Sequence, residues 1–261
     1  MVPIATVLFL AVSAAVCFIL PIGLYIYLRK KYGTKFAPVA VGAITFLVFG
    51  IVLKSIFTII IFNEESIQKL LQTPLLYSFI FALLAGIFEE TGRFVSFKMM
   101  QKNYNSIDNA LAYGAGHGGI EAIVLVGVSM LINMFIAITI GILGTEAIVE
   151  DLGTSAGDIQ NVLDTYINTP SITFLFPAIE RISAFIFHVS ASVLVYLAVS
   201  KNKVYYYLLS IIFHAILNIP AGLYQAGAFG GNLIVLEGLI FAISILVTAV
   251  VYAIYKKEKV K

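Results

Sequence analysis

Glu89, Glu90 and Arg93 stand near the middle of the otherwise apolar run Leu75 to Met99. Ionisable groups at the centre of a membrane span cost about 2.5–3.5 kcal/mol each on insertion scales, so their presence points to a task. On a helix Arg93 lies one turn from both carboxylates, at i+4 from Glu89 and i+3 from Glu90. It can pair with one and leave the other to react. Three further apolar runs carry polar groups. His117 and Glu121 are one turn apart in Gly114-Ala115-Gly116-His117-Gly118-Gly119-Ile120-Glu121; His188 shares a stripe with Glu180 and Ala184; His214 and Asn218 stack at i+4. All three histidines of the chain lie inside such runs. Two kinds of hydrolytic chemistry suit these groups. Imidazoles and a carboxylate can supply the three protein ligands of a catalytic zinc, leaving a position for water whose pKa falls toward about 7. Without a metal, a glutamate hydrogen-bonded to a histidine can activate water directly, while a second histidine and an asparagine amide donate to the developing oxyanion. The residue types fit both schemes and the spacing selects neither. A nucleophilic serine is disfavoured, because no Gly-x-Ser-x-Gly is present and Ser183, Ser190 and Ser192 have no partnered acid.

These groups must be held by membrane helices. The chain is 61% hydrophobic and 11% charged, against roughly 45–50% and about 25% in soluble proteins. Its apolar runs reach about twenty residues without the ten-residue alternation of outer-membrane strands. The expectation is an all-α polytopic membrane bundle in the cell membrane, one domain over residues 1–261. Seven spans are read: Val2 to Leu28, Phe36 to Phe62, Leu75 to Lys98, Asn109 to Leu143, Ile172 to Ser200, Val204 to Tyr224, and Asn232 to Tyr255. The first is read as a retained span, since Met1-Val2-Pro3 lacks the basic start of a cleavable signal. Arg29, Lys30, Lys31, Lys35, Lys98, Lys102, Lys201, Lys203 and the C-terminal lysines fall on one side; the opposite loops carry only Lys69. The positive-inside rule then puts the N-terminus outside and the C-terminus in the cytoplasm. With about 1.5 Å per helical residue, Glu89, Glu90, His117, His188 and His214 fall about 12–18 Å from the cytoplasmic ends of their spans. Four spans, within the core 75–224, thus offer polar groups at one depth.

Other features have plainer readings. Gly114 and Gly118 fit close helix packing, and also leave room beside His117. Lys54 can snorkel along its own stem, and Glu237 reads as an outer-rim group. Arg181 beside Glu180 reads as a local ion pair. The outer loop 144–170, acidic through Glu146, Glu150, Asp151, Asp158 and Asp164, reads as a solvated connector or, over Ala147–Leu152 and Ile159–Ile167, as short amphipathic helix. The lone Cys17 excludes an internal disulfide, and no basic stripe suggests nucleic acid.

The ordered set of Glu-Glu-Thr-Gly-Arg (89–93), Tyr113 four residues before His117, Gly-His-Gly-Gly-Ile-Glu (116–121) and His214-x-x-x-Asn218 resembles the type II CAAX prenyl endopeptidase and bacteriocin-processing superfamily. Within it, the set looks most like the YhfC-type intramembrane metalloproteases. The resemblance covers spans three to six. The superfamily's first motif places its arginine one residue later than Arg93, its second has phenylalanine where Tyr113 stands, and His188 is an alternative to His117 there. The resemblance implies Glu89 or Glu90 as the group activating water, with His117 orienting it. It implies His188 and His214 as metal ligands or oxyanion donors, Asn218 as an oxyanion donor, and Glu90 and Glu121 as further ligand candidates, with Arg93 in support. The cofactor expected on this ground is Zn2+ or none, and the substrate a membrane-associated peptide or protein. Buried carboxylates and histidines also mark transporters and proton relays, and the superfamily includes a noncatalytic scaffold, so both are alternative readings.

Overall fold

The computed structural model describes residues 2–65, 67–68, 72–152, 161 and 164–260. Among them every regular element is helical, and seven helices are long and apolar enough to cross a bilayer: α1 Ile4–Tyr32, α2 Ala37–Phe62, α3 Pro74–Met100, α4 Ile107–Ile142, α5 Ser171–Ser200, α6 Tyr205–Gln225 and α7 Leu233–Lys259. Local chemistry marks their ends. Pro38 and Pro74 sit in the first turns of α2 and α3, where a missing N–H loses no helical bond. Arg29, Lys30 and Lys31 close α1, where cations suit the exposed carbonyls, and Gly33 leaves the helix at φ +70°.

Among the described residues three helices are not uniformly α, α5 opening with a 3₁₀ segment at Ser171–Leu175. α2 passes through a π-helical segment at Phe46–Leu53, and α4 through one at Ile123–Gly127. The helix of α4 also runs on to Leu152, taking in residues 147–152 where sequence left connector and helix both open. Residues 164–168 are helical as well, while 153–160, 162 and 163 of the acidic loop lie outside the described residues.

The chain divides into two compact units, Met1–Ile19 with Ala122–Arg181, and Leu20–Glu121 with Ile182–Lys261. In the first, Thr6 and Ser171 share a hydroxyl hydrogen bond of 2.9 Å, Ser13 Oγ donates to the Phe174 carbonyl at 2.7 Å, and Tyr166 OH donates to Asn133 Oδ1 at 3.1 Å. Each pairing satisfies polar groups that hydrocarbon would leave without partners. Leu10, Ala137, Ile140 and Tyr166 form its apolar core, and Arg181 pairs with Glu180 at 2.5 Å as its sequence neighbourhood suggests.

In the second unit α3 packs along α6 and against α2. Phe187, Leu194, Leu217, Ile240 and Val247 fill one apolar core, and Phe97, Tyr113 and Val195 another. Glu237, expected at the rim, is buried at 6% exposure. At the end of α7, Lys203 Nζ donates to both oxygens of Glu258 at 2.6 and 2.7 Å, and Tyr206 OH adds a third bond at 2.8 Å.

Helices α2 and α4 meet main chain to main chain. A Cβ on Gly116 would lie 2.0 Å from the Val39 carbonyl oxygen, and one on Gly42 would lie 2.2 Å from that of Tyr113. Small residues are what permit such an approach between membrane helices. Because backbone cannot step aside as a side chain can, Gly116→Ala is expected to lower stability by about 1–3 kcal/mol, the range of overpacked cores. Thermal unfolding in detergent measures it; an unchanged midpoint would refute this contact.

Candidate functional site

α3 brings two carboxylates to two different environments. Glu90, fully buried, receives the Arg93 guanidinium at 3.0 Å, the Ser210 hydroxyl at 2.6 Å and His214 Nδ1 at 2.8 Å. Its oxygens are thus saturated by one cation and two donors from α6. Glu89, 4% exposed, faces His117 Nε2 at 3.2 Å, His214 Nε2 at 3.8 Å and Lys54 Nζ at 3.6 Å. Only the first of these is within hydrogen-bonding distance.

Arg93 does more than neutralise Glu90. One terminal nitrogen donates to the His188 carbonyl at 2.9 Å and to the Ser192 hydroxyl, the other approaches His188 Nδ1 at 3.0 Å, and the guanidinium lies 5.8 Å from the Tyr113 ring centre. A guanidinium has donors and no acceptor, so His188 Nδ1 accepts. A neutral His188 therefore carries its hydrogen on Nε2, which faces Glu121 at 2.5 Å. Arg93 fixes this tautomer from across the helix interface.

Gly114 and Gly118 bring α4 against α5, where a Cβ at 118 would lie 2.9 Å from His188 Cβ. With that approach the His117 and His188 rings stand 5.0 Å apart between centres, and those of His188 and His214 5.4 Å. Of the residues singled out from sequence, Glu89, Glu90, Arg93, His117, Glu121, His188 and His214 lie in one connected group. Asn218, one turn along α6 from His214, makes no hydrogen bond to it among the described residues. Ser192, Ser210 and Lys54 belong to the group and were read otherwise or passed over. The signal for the two serines was spacing: each lies four residues from a histidine of its own span.

Donor atoms of Glu89, His117, Glu121 and His188 all lie within 4.8 Å of one another. Two imidazoles and two carboxylates are donors that suit zinc. His117 Nε2 faces Glu89 Oε2 at 3.2 Å, a separation that two ligands of one metal can have, while His117 Nδ1 is buried with no hydrogen-bond partner among the described residues. His188 fits less well, because binding through Nε2 requires a hydrogen on Nδ1, where Arg93 already donates. Glu89, His117 and Glu121 are thus the residues able to hold a metal without rearranging the group.

Seven membrane-length helices with a buried centre of glutamate, histidine and arginine define a polytopic membrane protein built around a polar site. A family model described as YhfC intramembrane metalloprotease matches residues 16–240. An uncharacterized membrane protein YhfC of Bacillus subtilis (strain 168) is 36% identical over 226 residues, covering 85% of this chain and 86% of that one. The chain belongs to the YhfC family, and is a multi-pass membrane protein. No solved structure matches it.

Proposed function

We propose that the protein is an intramembrane peptidase in which Glu89 takes the proton of the attacking water while Glu90 is a structural carboxylate. The observation that carries this reading is the unequal environment of the pair. Among the described residues Glu90 is held by Arg93, Ser210 and His214, whereas Glu89 makes one hydrogen bond. The family description supports the reaction type.

His214 donates from Nδ1 to Glu90, so in its neutral form Nε2 is a lone pair facing Glu89 Oε2 across 3.8 Å. One water donating to both atoms fits that separation. Such a water is polarised on two sides and aimed away from them, as nucleophilic attack on a carbonyl carbon requires. His117, bonded to the same Glu89 oxygen, orients the carboxylate. Arg93 holds Glu90 and the His188 tautomer, and so acts on the site at one remove. The substrate is a membrane-associated peptide or protein.

Zinc, when bound, would act as a Lewis acid and lower the pKa of its water toward about 7. Glu89, His117 and Glu121 would hold it, with His188 orienting Glu121 as neighbouring groups commonly tune a metal site; Glu89 would then serve as ligand, and the activation of water that it performs alone would come from the metal. A zinc concentration of about 100 times Kd is expected to stabilise the protein by about 2.7 kcal/mol. Glu121→Gln is expected to abolish that gain. Calorimetry and metal analysis of the two proteins check it; equal zinc content would remove Glu121 from the ligand set.

The test of function is cleavage of a reporter membrane peptide by purified protein. His214→Ala is expected to lower the rate by about 10²-fold, the lower range for a general acid–base group. Equal rates in wild type, His214→Ala and Glu89→Gln would end the proposal.

A further inference from the structure

Lys54 is a charged neighbour of Glu89 that the chemistry above leaves without a task. It follows the π-helical segment Phe46–Leu53, and π-turns cluster at functional sites. One extra residue in a turn rotates everything after it by about 100° relative to a plain α-helix, so the segment sets which face Lys54 presents. Its ammonium stands 3.6 Å from Glu89 Oε1, and its side chain is 32% exposed where that of Glu89 is 5%. The contact is an ion pair too long for a hydrogen bond, so the ammonium can move on its stem without breaking one.

Hydrolysis beside Glu89 needs a donor for the oxygen that becomes negative, and the other candidates are committed. The Arg93 nitrogens serve Glu90, His188 and Ser192. Asn218, the donor suggested by sequence, makes no hydrogen bond to the group among the described residues. We propose that Lys54 is the electrophile of the reaction, donating from its ammonium to the substrate carbonyl oxygen as the tetrahedral intermediate forms. This builds on the hydrolytic reading of the site.

The step balances without a co-reactant. The water oxygen bonds to the carbonyl carbon and a water proton passes to Glu89. The π pair of the C=O bond moves onto its oxygen, facing Lys54. When that pair returns, the C–N bond breaks and the proton held by Glu89 leaves on the amine nitrogen. Lys54 keeps its protons throughout. A positive charge brought beside a buried carboxylate is worth more to an oxyanion than the same charge in bulk solvent.

The experiment uses the full chain in nanodiscs, a reporter membrane peptide and its phosphinate analogue, which mimics the tetrahedral oxyanion. For Lys54→Gln and Lys54→Met, kcat is expected to fall about 10²–10³-fold, as for loss of an oxyanion donor, with KM changed by less than about threefold. Lys54→Arg is expected to stay within about tenfold of wild type, since the charge is kept and the donor geometry altered. Phosphinate affinity is expected to fall with kcat/KM across the series, while affinity for the uncleaved peptide, measured in Glu89→Gln, is unaffected by adding Lys54→Met. An unchanged kcat, a rise in KM alone, or phosphinate binding that ignores Lys54 overturns the proposal and leaves the peptidase reading intact. A wild type that cleaves no peptide and binds no phosphinate overturns both.

Discussion

Glu89→Gln is expected to slow peptide hydrolysis by about 10²–10⁴-fold while leaving the protein folded, the range lost with a general base. Glutamine has the shape of glutamate, and its amide oxygen can still accept from His117 Nε2, now 3.2 Å from Glu89. What disappears is the capacity to take a proton. The substitution also removes the charge opposite Lys54, but that side chain is 32% exposed and can turn its ammonium outward. Stability is therefore expected to change little. Cleavage rate and thermal midpoint, measured on the same preparation, separate the two effects. A Glu89→Gln protein that cleaves at the wild-type rate would dismiss Glu89 as the base.

The opposite pattern is expected one residue along. Glu90→Leu, or Arg93→Leu, is expected to destabilise the protein by about 3–5 kcal/mol, because each leaves its former partner as an uncompensated buried charge. Both residues are fully buried, at 0% exposure, so neither orphan can reach water. The double substitution is expected to recover much of the loss, since the desolvated pair is then absent altogether. Unfolding in detergent of the two single variants and the double completes a cycle. Additive losses would mean that the 3.0 Å pairing contributes nothing specific.

The positions of the seven helices were legible in the sequence because hydrocarbon imposes length and apolarity together, and few chains satisfy both by accident. Convergence of Glu89, His117, His188 and His214 was legible for a related reason: polar groups at one depth on different helices have only each other to satisfy them. Which glutamate Arg93 would take was not legible. Both i+3 and i+4 are within reach, and the choice is made by Ser210 and His214, which approach from α6 more than a hundred residues later. The π-helical segments were equally hidden, since an apolar run reads the same whichever carbonyl each N–H selects. Lys54 was read as a snorkelling lysine for that reason. The continuation of α4 to Leu152 was obscured by the acidic residues after Gly144, which suggest solvent and do not forbid helix.

The glycine contacts of α4 have an evolutionary corollary. Where α4 is set against polypeptide spine, with Gly114 against the Val189 Cα and Gly116 against the Val39 carbonyl, no side chain can be added without prising helices apart. Side chains are easier to vary where rings meet the polar group and its helix: Phe46 lies against His117, Phe49 against Gly92 and Phe57 against Phe88, and a ring can be exchanged for a smaller group. The main-chain contacts are thus held by geometry, and the ring contacts are where the surroundings of the polar group can drift.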